Sequence, residues 1–497
     1  MPRIEQAFAR LTEAETHRRS GDLGSAKALC EGLLRDNPDY AGALQTLGVI
    51  HLSMNDPHQA FVCFAQVARL CPTDWINLTN LGSTELRLGA HEASAETLEK
   101  ARQLKPDDTA MLLILADAYR EGRNYDAAIG VYSDVLRVDP ASAVAAQGLG
   151  DSLLQLGRLD EAAEALEAAH RANPGSAAIL YSLGQLPAGL GRTDIAQVLH
   201  SCKRQDSESD GDFASFRDFA MAGALHRQGR AKESWRTLVE ANGRLAARHR
   251  EPWKRQSTGM AAALRQALAM TAPQPFAEEG SSPISLFILG PSRAGKSVVE
   301  QLLTRLVGLK RGHERRLVEA SVRRTAALSG LLPIVNPAEL PSSLYDRLRA
   351  IYREEVVGFA NDARIVTDTY PAMIAYIGQI AGVVPNLRLI FIKRDRHDLA
   401  LRIFMRLYRS GNHYAYSVPE IFDYVRWYER MAEIWLAKLP SISLTLNYED
   451  VVAEPAAALA QAARLCDAAQ VRGDPAVAYD DRHCGQAYRS LIDSALR

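Results

Sequence analysis

Five prolines recur at intervals of 34 residues in the first part of the chain, at Pro38, Pro72, Pro106, Pro140 and Pro174. Each repeat also has a small residue followed four positions later by a larger one, such as Ala60 and Phe64 or Ser94 and Leu98. Small residues let two helices approach closely, larger side chains fill the space between them, and proline ends the second helix. Because one such pair cannot bury its apolar face alone, neighbouring pairs must stack. The period therefore predicts an array of helix pairs.

These repeats resemble the tetratricopeptide repeat, whose Leu-Gly position is matched here by pairs such as Leu47-Gly48 and Leu149-Gly150. The resemblance implies an N-terminal all-α superhelix whose concave face binds a protein or a peptide. A purely structural role, as a brace for the second half, is the alternative. We predict the repeats over residues 1–200. Residues 201–283 are predicted to hold a polar loop (201–212), one further repeat-like helix pair, and a linker containing proline and serine (271–283).

The stretch "LFILGPSRAGKSVVEQLL", residues 286–303, contains the Walker pattern G-x-x-x-x-G-K-S. A strand-like run (284–289) precedes the loop and a segment of helical periodicity (297–309) follows it, so amides of the loop and of the helix start would point at a bound anion. The predicted phosphate-binding residues are Gly290, Ser292, Arg293, Ala294, Gly295, Lys296 and Ser297. Taken alone, the loop favours a kinase or a nucleotide triphosphatase, and a purely structural strand-to-helix turn is the alternative.

Three more strand-and-helix units follow the loop. They begin at "RIVTDTYP" (364–371), "NLRLIFIKRD" (386–395) and "ISLTLNYEDV" (442–451). Alternating strands and helices predict a mostly parallel sheet with its ligand at the carboxyl ends of the strands. We therefore predict an α/β domain of the P-loop type over residues 284–497, so that the whole chain is α plus α/β.

Several motifs of the second half resemble those of the bacterial tetratricopeptide-repeat sulfotransferases, relatives of the tyrosylprotein sulfotransferases. That family shows, in order, G-x-P-R-S-G-T-T-x-x-E-Q, D-K-x-P, R-R-D-P-x-D and Y-E-D-L-x-x-x-P. The counterparts in this chain are Gly290, Arg293, Gly295, Glu300-Gln301, Asp368, Pro371, Arg394-Asp395, Asp398, Tyr448-Glu449-Asp450 and Pro455. Repeats precede these motifs in the family as they do here, so the resemblance covers most of the chain.

The resemblance implies a sulfuryl donor, 3'-phosphoadenosine 5'-phosphosulfate, and no metal ion. The loop would hold the 5'-phosphosulfate, with Lys296 and Arg293 supplying positive charge to the reaction. Arg394 would bind the 3'-phosphate, a role that suits a guanidinium, and Arg402 stands where the family has a serine that shares this phosphate. The catalytic glutamate of the family falls on Glu314 in "RGHERR", where it would accept the proton of a hydroxyl acceptor.

Other interpretations of these residues stay open. Glu314 could instead be a surface acid paired with neighbouring arginines, and His313 could be the base. The lysine of D-K-x-P is Thr369 here, and the loop carries Lys296 in return. Lys296 either replaces the missing charge or marks a different donor. Two alternatives to a sulfotransferase follow: a P-loop kinase or nucleotide triphosphatase, with Asp368 as its magnesium-binding acid, and a catalytically decayed repeat scaffold. "RSGNHYAYS" (409–417) is either an acceptor gate or a surface loop.

Charge and cysteine content exclude some classes of protein. The net charge of −1 argues against a general nucleic-acid binder. Residues 284–398 nevertheless carry 17 Lys and Arg against 11 Asp and Glu, a local excess that suits a small anionic ligand. The six cysteines are far apart and form no C-x-x-C pair, which predicts neither a zinc site nor a disulfide framework. With no signal peptide and no apolar run of about 18 residues, we predict a cytoplasmic protein without a membrane span.

Overall fold

The computed structural model describes residues 2–187, 190–200, 202, 210–277, 282–331, 336–408, 411–468, 471–473, 475–477 and 482–497. The chain divides into two compact units, Met1–Thr193 and Asp194–Arg497. Most of the predicted polar loop at 201–212 lies outside the described residues, as do residues 278–281 of the predicted linker. The helix pair that follows this loop lies in the second unit.

The described part of the first unit consists of consecutive helices. They are α1 (Pro2–Arg19), α2 (Leu23–Asp36), α3 (Ala41–Ser53), α4 (Pro57–Leu70), α5 (Trp75–Arg87), α6 (His91–Leu104), α7 (Thr109–Glu121), α8 (Tyr125–Val138), α9 (Ala143–Leu156), α10 (Leu159–Ala172) and α11 (Ala177–Leu183). Many helices begin at a side chain that accepts a hydrogen bond from a first-turn amide, for example Asp56, Asp108 and Ser142. Such caps satisfy amides that have no partner within the helix, and thereby help to fix where these helices begin.

The two helices of each repeat pack as the small-and-large pattern predicts. Gly48 lies so close to the ring of Phe64 that a Cβ at this position would overlap it, and Gly82 faces Leu98 in the same way. Ser94, the small residue of the next repeat, is fully buried and donates a hydrogen bond to the carbonyl of Gly82. The close approach of paired helices therefore depends on small residues at these positions.

The odd-numbered helices also contact one another along the array: α5 packs against α7, α7 against α9, and α9 against α11. Each therefore packs against both its own partner and the equivalent helix of the next repeat, which is how a repeat superhelix forms a continuous inner face. Buried side chains of successive repeats, including Leu98, Leu112, Leu115, Tyr132 and Val135, form one apolar cluster.

The second unit begins with α12 (Ile195–Leu199) and the helix pair α13 (Asp210–Arg227) and α14 (Ala231–Ala269). α14 is 39 residues long and packs on the α/β domain. Asn242 donates a hydrogen bond to the carbonyl of Phe404 at 3.0 Å, and Trp427 donates one to the carbonyl of Met260 at 2.8 Å. The Lys438 ammonium binds the last carbonyls of α14, at Ala267, Leu268 and Met270. These contacts attach α14 to the α/β domain.

The sheet of the second unit has five parallel strands in the order β2-β3-β1-β4-β5. They are β1 (Ile284–Leu289), β2 (Leu309–Lys310), β3 (Ile365–Asp368), β4 (Leu387–Lys393) and β5 (Ser443–Asn447). The N-terminal helical repeats and this parallel sheet confirm the predicted fold class. β1 is central and lies between β3 and β4, so the carboxyl ends of all three open onto one edge of the sheet, where α/β proteins bind ligands.

One strand differs from the sequence prediction. The helical pattern after the loop predicts a helix to residue 309, but the helix ends at Leu303 and residues 309–310 form β2. The carbonyl of Gly308 accepts hydrogen bonds from the amides of Arg364 and Ile365, which draws the chain onto β3. Local periodicity does not reveal this pairing because the partner is more than fifty residues away.

The remaining helices cover the faces of the sheet or follow its edge. They are α15 (Lys296–Leu303), α16 (Leu317–Leu328), α17 (Tyr345–Ala360), α18 (Ile377–Ile380), α19 (Arg396–Phe404), α20 (Val418–Lys438), α21 (Tyr448–Ala453), α22 (Pro455–Leu465) and α23 (Arg489–Ala495). Most aromatic side chains of α20 are buried in the core, with Tyr428 and Trp435 almost fully enclosed. Among the described residues, no helix combines the length and the apolar composition needed to cross a membrane.

Candidate phosphate and sulfuryl site

The loop Gly290–Ser297 joins the central strand β1 to α15. Gly295 has φ +99°, and a Cβ on it would overlap the ring of Tyr448, so no other residue fits here without displacing that ring. Arg293 also has a positive φ of 66°. Ala294 is fully buried, whereas Ser297 is exposed on the first turn of α15. The loop is therefore wound tightly in front of the N-terminus of a helix, the geometry that binds phosphate.

Lys296 is folded inside the loop. Its ammonium donates hydrogen bonds to the carbonyls of Gly290 and Pro291, both at 3.0 Å, and the residue is 7% exposed. Burial lowers the pKa of Lys296 to about 8; the charge of Glu314 opposes this shift and that of Arg293 adds to it. Most of the lysine is still protonated at neutral pH. The loop thus holds a buried cation that gains stability when an anion binds.

Arg394 lies at the carboxyl end of β4, next to the loop. Its Nη1 donates to the carbonyl of Arg293 at 3.3 Å, and its guanidinium stacks 4.2 Å above the ring of Tyr448. Tyr448 itself follows β5 and is fully buried. Three adjacent strands therefore supply the loop, the arginine and the aromatic platform beneath that arginine.

Arg402 lies on α19 in the same region, next to the C-terminal segment 482–497. Burial raises the pKa of the Cys484 thiol, while the charge and hydrogen bond of Arg402 and the charge of Arg394 act to lower it. The thiol therefore lies near both guanidinium groups. Asp398 holds this segment in place, because its two carboxylate oxygens accept hydrogen bonds from the amides of His483 and Gly485, both at 2.6 Å.

Sequence reasoning assigned no role to this C-terminal segment. Further contacts tie it to the start of α19: His397 pairs with Asp493 at 2.8 Å, and Arg489 pairs with Asp395 at 3.3 Å. Of the residues in the quoted motifs, Asp398, the last residue of R-R-D-P-x-D, is the one whose side chain binds the backbone of this segment. A motif gives no information about its partner when that partner is 85 or more residues away.

Glu300 organises the side of the site opposite Arg394. It is fully buried, and its Oε1 accepts hydrogen bonds from the amide of His313 at 3.0 Å and from Thr367 Oγ1 at 2.5 Å. Its Oε2 lies 3.2 Å from Arg311 Nε and 3.3 Å from His313 Nδ1. Burial would raise the pKa of Glu300, but the hydrogen bonds and charges of these partners lower it to about 2. Glu300 therefore fixes residues 311–313 against β3 as a permanent anion.

Glu314 follows directly on this fixed segment. Its charge raises the pKa of Asp368 and of Tyr428 and opposes the lowering of the Lys296 pKa, so its carboxylate faces the loop. Two of the arginines that could have paired with it contact other groups, Arg311 at Glu300 and Arg316 over the ring of Tyr370. His313, the other candidate base, directs Nδ1 at Glu300, which favours a structural role.

Asp368 and Thr369 lie beneath Glu314 at the end of β3. Burial raises the pKa of Asp368 to about 8, and the neighbouring acids Glu314, Glu319 and Glu300 add to this rise, although the amide of Tyr370 opposes it. Thr369 is buried and its amide donates to the carbonyl of His313 at 2.7 Å. At the position of the motif's lysine, this chain therefore has a buried threonine that packs beneath the site.

Aromatic residues close the remaining side of the site. In the stretch 409–417, Arg409 and Ser410 lie outside the described residues, but Tyr414 and Tyr416 are almost fully buried, so the surface-loop interpretation is wrong for this part. Tyr414 stacks on Tyr424 with ring centroids 3.8 Å apart. Tyr408, which sequence reasoning missed, places its hydroxyl 2.9 Å from Ser292 Oγ of the loop.

Comparison with known proteins gives separate matches for the N-terminal and the C-terminal parts of the chain. The model of the sulfotransferase family matches residues 283–474, and models of the tetratricopeptide repeat match residues 79–143 and 121–186. The chain is 29% identical over 152 residues to cellulose synthase 2 operon protein C of Komagataeibacter xylinus, and 26% identical over 114 residues to superkiller protein 3 of Schizosaccharomyces pombe. These matches cover 30% and 23% of this chain but only 12% and 8% of the relatives.

Solved structures similar to the chain include MamA, with 21% identity and a TM-score of 0.33, and YrrB, described as a TPR protein with an unusual peptide-binding site, with 19% identity and a TM-score of 0.34. They cover 34% and 35% of this chain, and 93% and 91% of their own. The chain carries a sulfotransferase-family domain preceded by tetratricopeptide repeats.

Proposed function

We propose that the chain transfers a sulfuryl group from 3'-phosphoadenosine 5'-phosphosulfate to a hydroxyl of a protein or peptide, such as a tyrosine, recruited by the repeats. The observation that supports this donor is the presence of two cationic regions at one edge of the sheet. The loop with Lys296 and Arg293 suits the phosphosulfate, and Arg394 with Arg402 suits a second phosphate. ATP has no 3'-phosphate to occupy the second region.

The chemistry follows from these assignments. The acceptor oxygen attacks sulfur, the bond from sulfur to the 5'-phosphate oxygen breaks, and adenosine 3',5'-bisphosphate leaves. Glu314 takes the hydroxyl proton, and Glu300 holds it in place through residues 311–313. Lys296 exchanges its two loop carbonyls for the oxygens of the donor and stabilises the charge that develops on the leaving phosphate. No step requires a metal ion, because cations and loop amides neutralise the donor.

A P-loop kinase is the second candidate, supported by Lys296 and Ser297 in the Walker positions. It would need a carboxylate for magnesium, and Asp368 is the acid at the right strand end. Burial raises the pKa of Asp368 to about 8, so this carboxyl holds its proton at neutral pH. Asp368 is also buried, and its Oδ1 already accepts a hydrogen bond from the amide of Tyr370 at 2.7 Å, so it does not present an open carboxylate to magnesium.

Donor binding distinguishes these candidates. We expect adenosine 3',5'-bisphosphate to bind without magnesium, and Arg394→Ala to weaken this binding by about 10- to 100-fold, the value of one or two charge-assisted hydrogen bonds. Isothermal titration with the bisphosphate and with ATP, each with and without magnesium, measures both. Arg396→Ala is the matched control, because its half-exposed guanidinium pairs with Glu429 instead. Magnesium-dependent ATP binding would overturn the proposed donor. If neither ligand bound, the remaining interpretation would be a catalytically decayed repeat scaffold.

Glu314→Gln tests the base. We expect kcat for transfer to a tyrosine-containing peptide to fall by about 100-fold or more, with bisphosphate affinity unchanged, because only proton removal is lost. Glu319→Gln is the control for losing a nearby negative charge, since Glu319 also raises the pKa of Asp368, whereas the acid that raises the pKa of Lys296 is Glu314. Equal kcat values for wild type and Glu314→Gln would remove Glu314 from the mechanism.

A further inference from the structure

Tyr408 brings a phenol to the phosphate loop itself. Its hydroxyl is 2.9 Å from Ser292 Oγ, and Ser292 is the third residue of the loop, away from the helix start at Lys296. In the proposed donor orientation, the amides at the helix start bind the 5'-phosphate. The terminal group of the donor must then extend toward the part of the loop that contains Ser292. The Tyr408 oxygen therefore borders the group that is transferred.

The backbone of Tyr408 is held in this position. Tyr416 Oη donates a hydrogen bond to the Tyr408 carbonyl at 2.8 Å, and the ring of Tyr416 stacks on His249 with centroids 4.1 Å apart. His249 in turn lies against His413, with 2.9 Å between their Nδ1 atoms. α14 and the segment 413–416 thus hold the backbone of Tyr408 in place. This positions its hydroxyl before the donor binds.

Other tyrosines near the loop have hydroxyls that are already engaged in the protein interior. Tyr428 Oη donates to the carbonyl of Pro371 at 3.0 Å, and Tyr414 Oη donates to Asn412 Oδ1 at 2.8 Å. Both residues are almost fully buried, and the hydroxyl of Tyr428 also meets the amide of Gly290 at the start of the loop, whereas Tyr408 is partly exposed and its hydroxyl lies against Ser292. Of these three phenols, Tyr408 has the hydroxyl that an incoming donor would meet.

We propose that Tyr408 is itself a sulfuryl acceptor, so that the protein sulfates its own phosphate-loop tyrosine when no other acceptor is bound. This inference rests on the proposed function. The Tyr408 oxygen forms a bond to sulfur, the bond between sulfur and the 5'-phosphate oxygen breaks, and adenosine 3',5'-bisphosphate leaves. The phenolic proton passes to solvent, which the partly exposed Tyr408 contacts. The product is a tyrosine O-sulfate beside Ser292, where its negative charge opposes binding of the next donor molecule.

The experiment uses the full chain and 3'-phosphoadenosine 5'-phosphosulfate labelled with radioactive sulfur, without added acceptor. We expect label on the proteolytic peptide that contains Tyr408, with a labelled fraction per unit time that does not change on dilution, because the reaction is within one chain. Tyr408→Phe, which removes one oxygen, should lose the label while keeping bisphosphate binding. Tyr345→Phe, at the start of α17, should keep it.

The outcomes separate this inference from the proposed function. If the bisphosphate binds and a tyrosine-containing peptide is sulfated while Tyr408 stays unlabelled, self-sulfation is wrong and the proposed function stands. Label that persists in Tyr408→Phe, or that maps to another residue, also overturns it. If neither the bisphosphate nor the sulfuryl donor binds to wild type, both proposals fail together.

Discussion

Glu300→Gln is expected to lower the free energy of unfolding of the second unit by about 3 kcal/mol at neutral pH, because the pKa shift of this carboxyl from 4.5 to about 2 corresponds to ~1.4 kcal/mol per unit. The substitution removes a buried negative charge that binds Arg311 and His313. Glutamine keeps the size of the side chain, so the loss reports the charge and its hydrogen bonds rather than a cavity.

The effect depends on pH in a definite direction. The folded pKa of Glu300 is depressed, so its contribution is fully present above about pH 4.5 and is lost as the pH falls toward 2. The difference in stability between wild type and Glu300→Gln should therefore be constant near neutrality and shrink across this acid range. A difference that grew on acidification would contradict the assignment.

Urea unfolding followed by tryptophan fluorescence measures this effect selectively, since four of the five tryptophans, Trp235, Trp253, Trp427 and Trp435, lie in the second unit. Glu354→Gln is the matched control. Glu354 is an exposed acid of the same unit, 3.1 Å from Arg324, and surface pairs of this kind contribute about 0–1 kcal/mol. If the two variants lost equal stability, Glu300 would not be the centre of the network described here.

Gly295→Ala is expected to weaken adenosine 3',5'-bisphosphate binding by roughly 100-fold or more, about 3 kcal/mol. The added Cβ meets two penalties. A left-handed φ costs a non-glycine residue about 1–2 kcal/mol, and the Cβ overlaps the ring of Tyr448. Tyr448 is fully buried and supports the Arg394 guanidinium, so it cannot move without displacing that arginine as well. The loop and the second phosphate region are therefore both disturbed.

Gly330→Ala separates the two penalties. Gly330 also has a positive φ, +70°, but nothing lies within 4 Å of the position that its Cβ would take. We expect this control to lose about 1–2 kcal/mol of stability and to bind the bisphosphate normally. Calorimetric titration and thermal unfolding of both variants give the comparison. Normal affinity in Gly295→Ala would mean that the loop does not bind the donor in the form described.

The prediction from sequence succeeded where the determining contacts are local. Prolines at intervals of 34 residues and the small residues between them indicated the helix pairs, because residues such as Gly48 and Phe64 pack within a single repeat. The Walker pattern between an apolar run and a helical run indicated the loop, because strand, loop and helix are consecutive. In both cases the residues that specify the structure lie within about one repeat or one turn of it.

The prediction failed or was incomplete where the partner is distant in the chain. β2 forms because Gly308 pairs with residues 364 and 365 on β3, which overrides the helical pattern of its own segment. Tyr408 reaches Ser292 across 116 residues, and Asp398 holds the amide of Gly485 across 87. Neither the hydrophobic periodicity nor the motif spacing of the sequence predicts such pairs. They depend on which strands become neighbours.

Residue pattern and spacing indicated the helical repeats, a loop of the Walker pattern, and a resemblance to sulfotransferases that implied roles for Glu314, Arg394 and Arg402. How these residues meet depends on the folded structure. It buried Glu300 as the anion that positions residues 311–313, set Arg394 on the ring of Tyr448, and placed Tyr408 on the loop. The physical reason is that residue type and spacing fix the local backbone, whereas burial, charge and reactivity depend on contacts that form only when the parallel strands assemble.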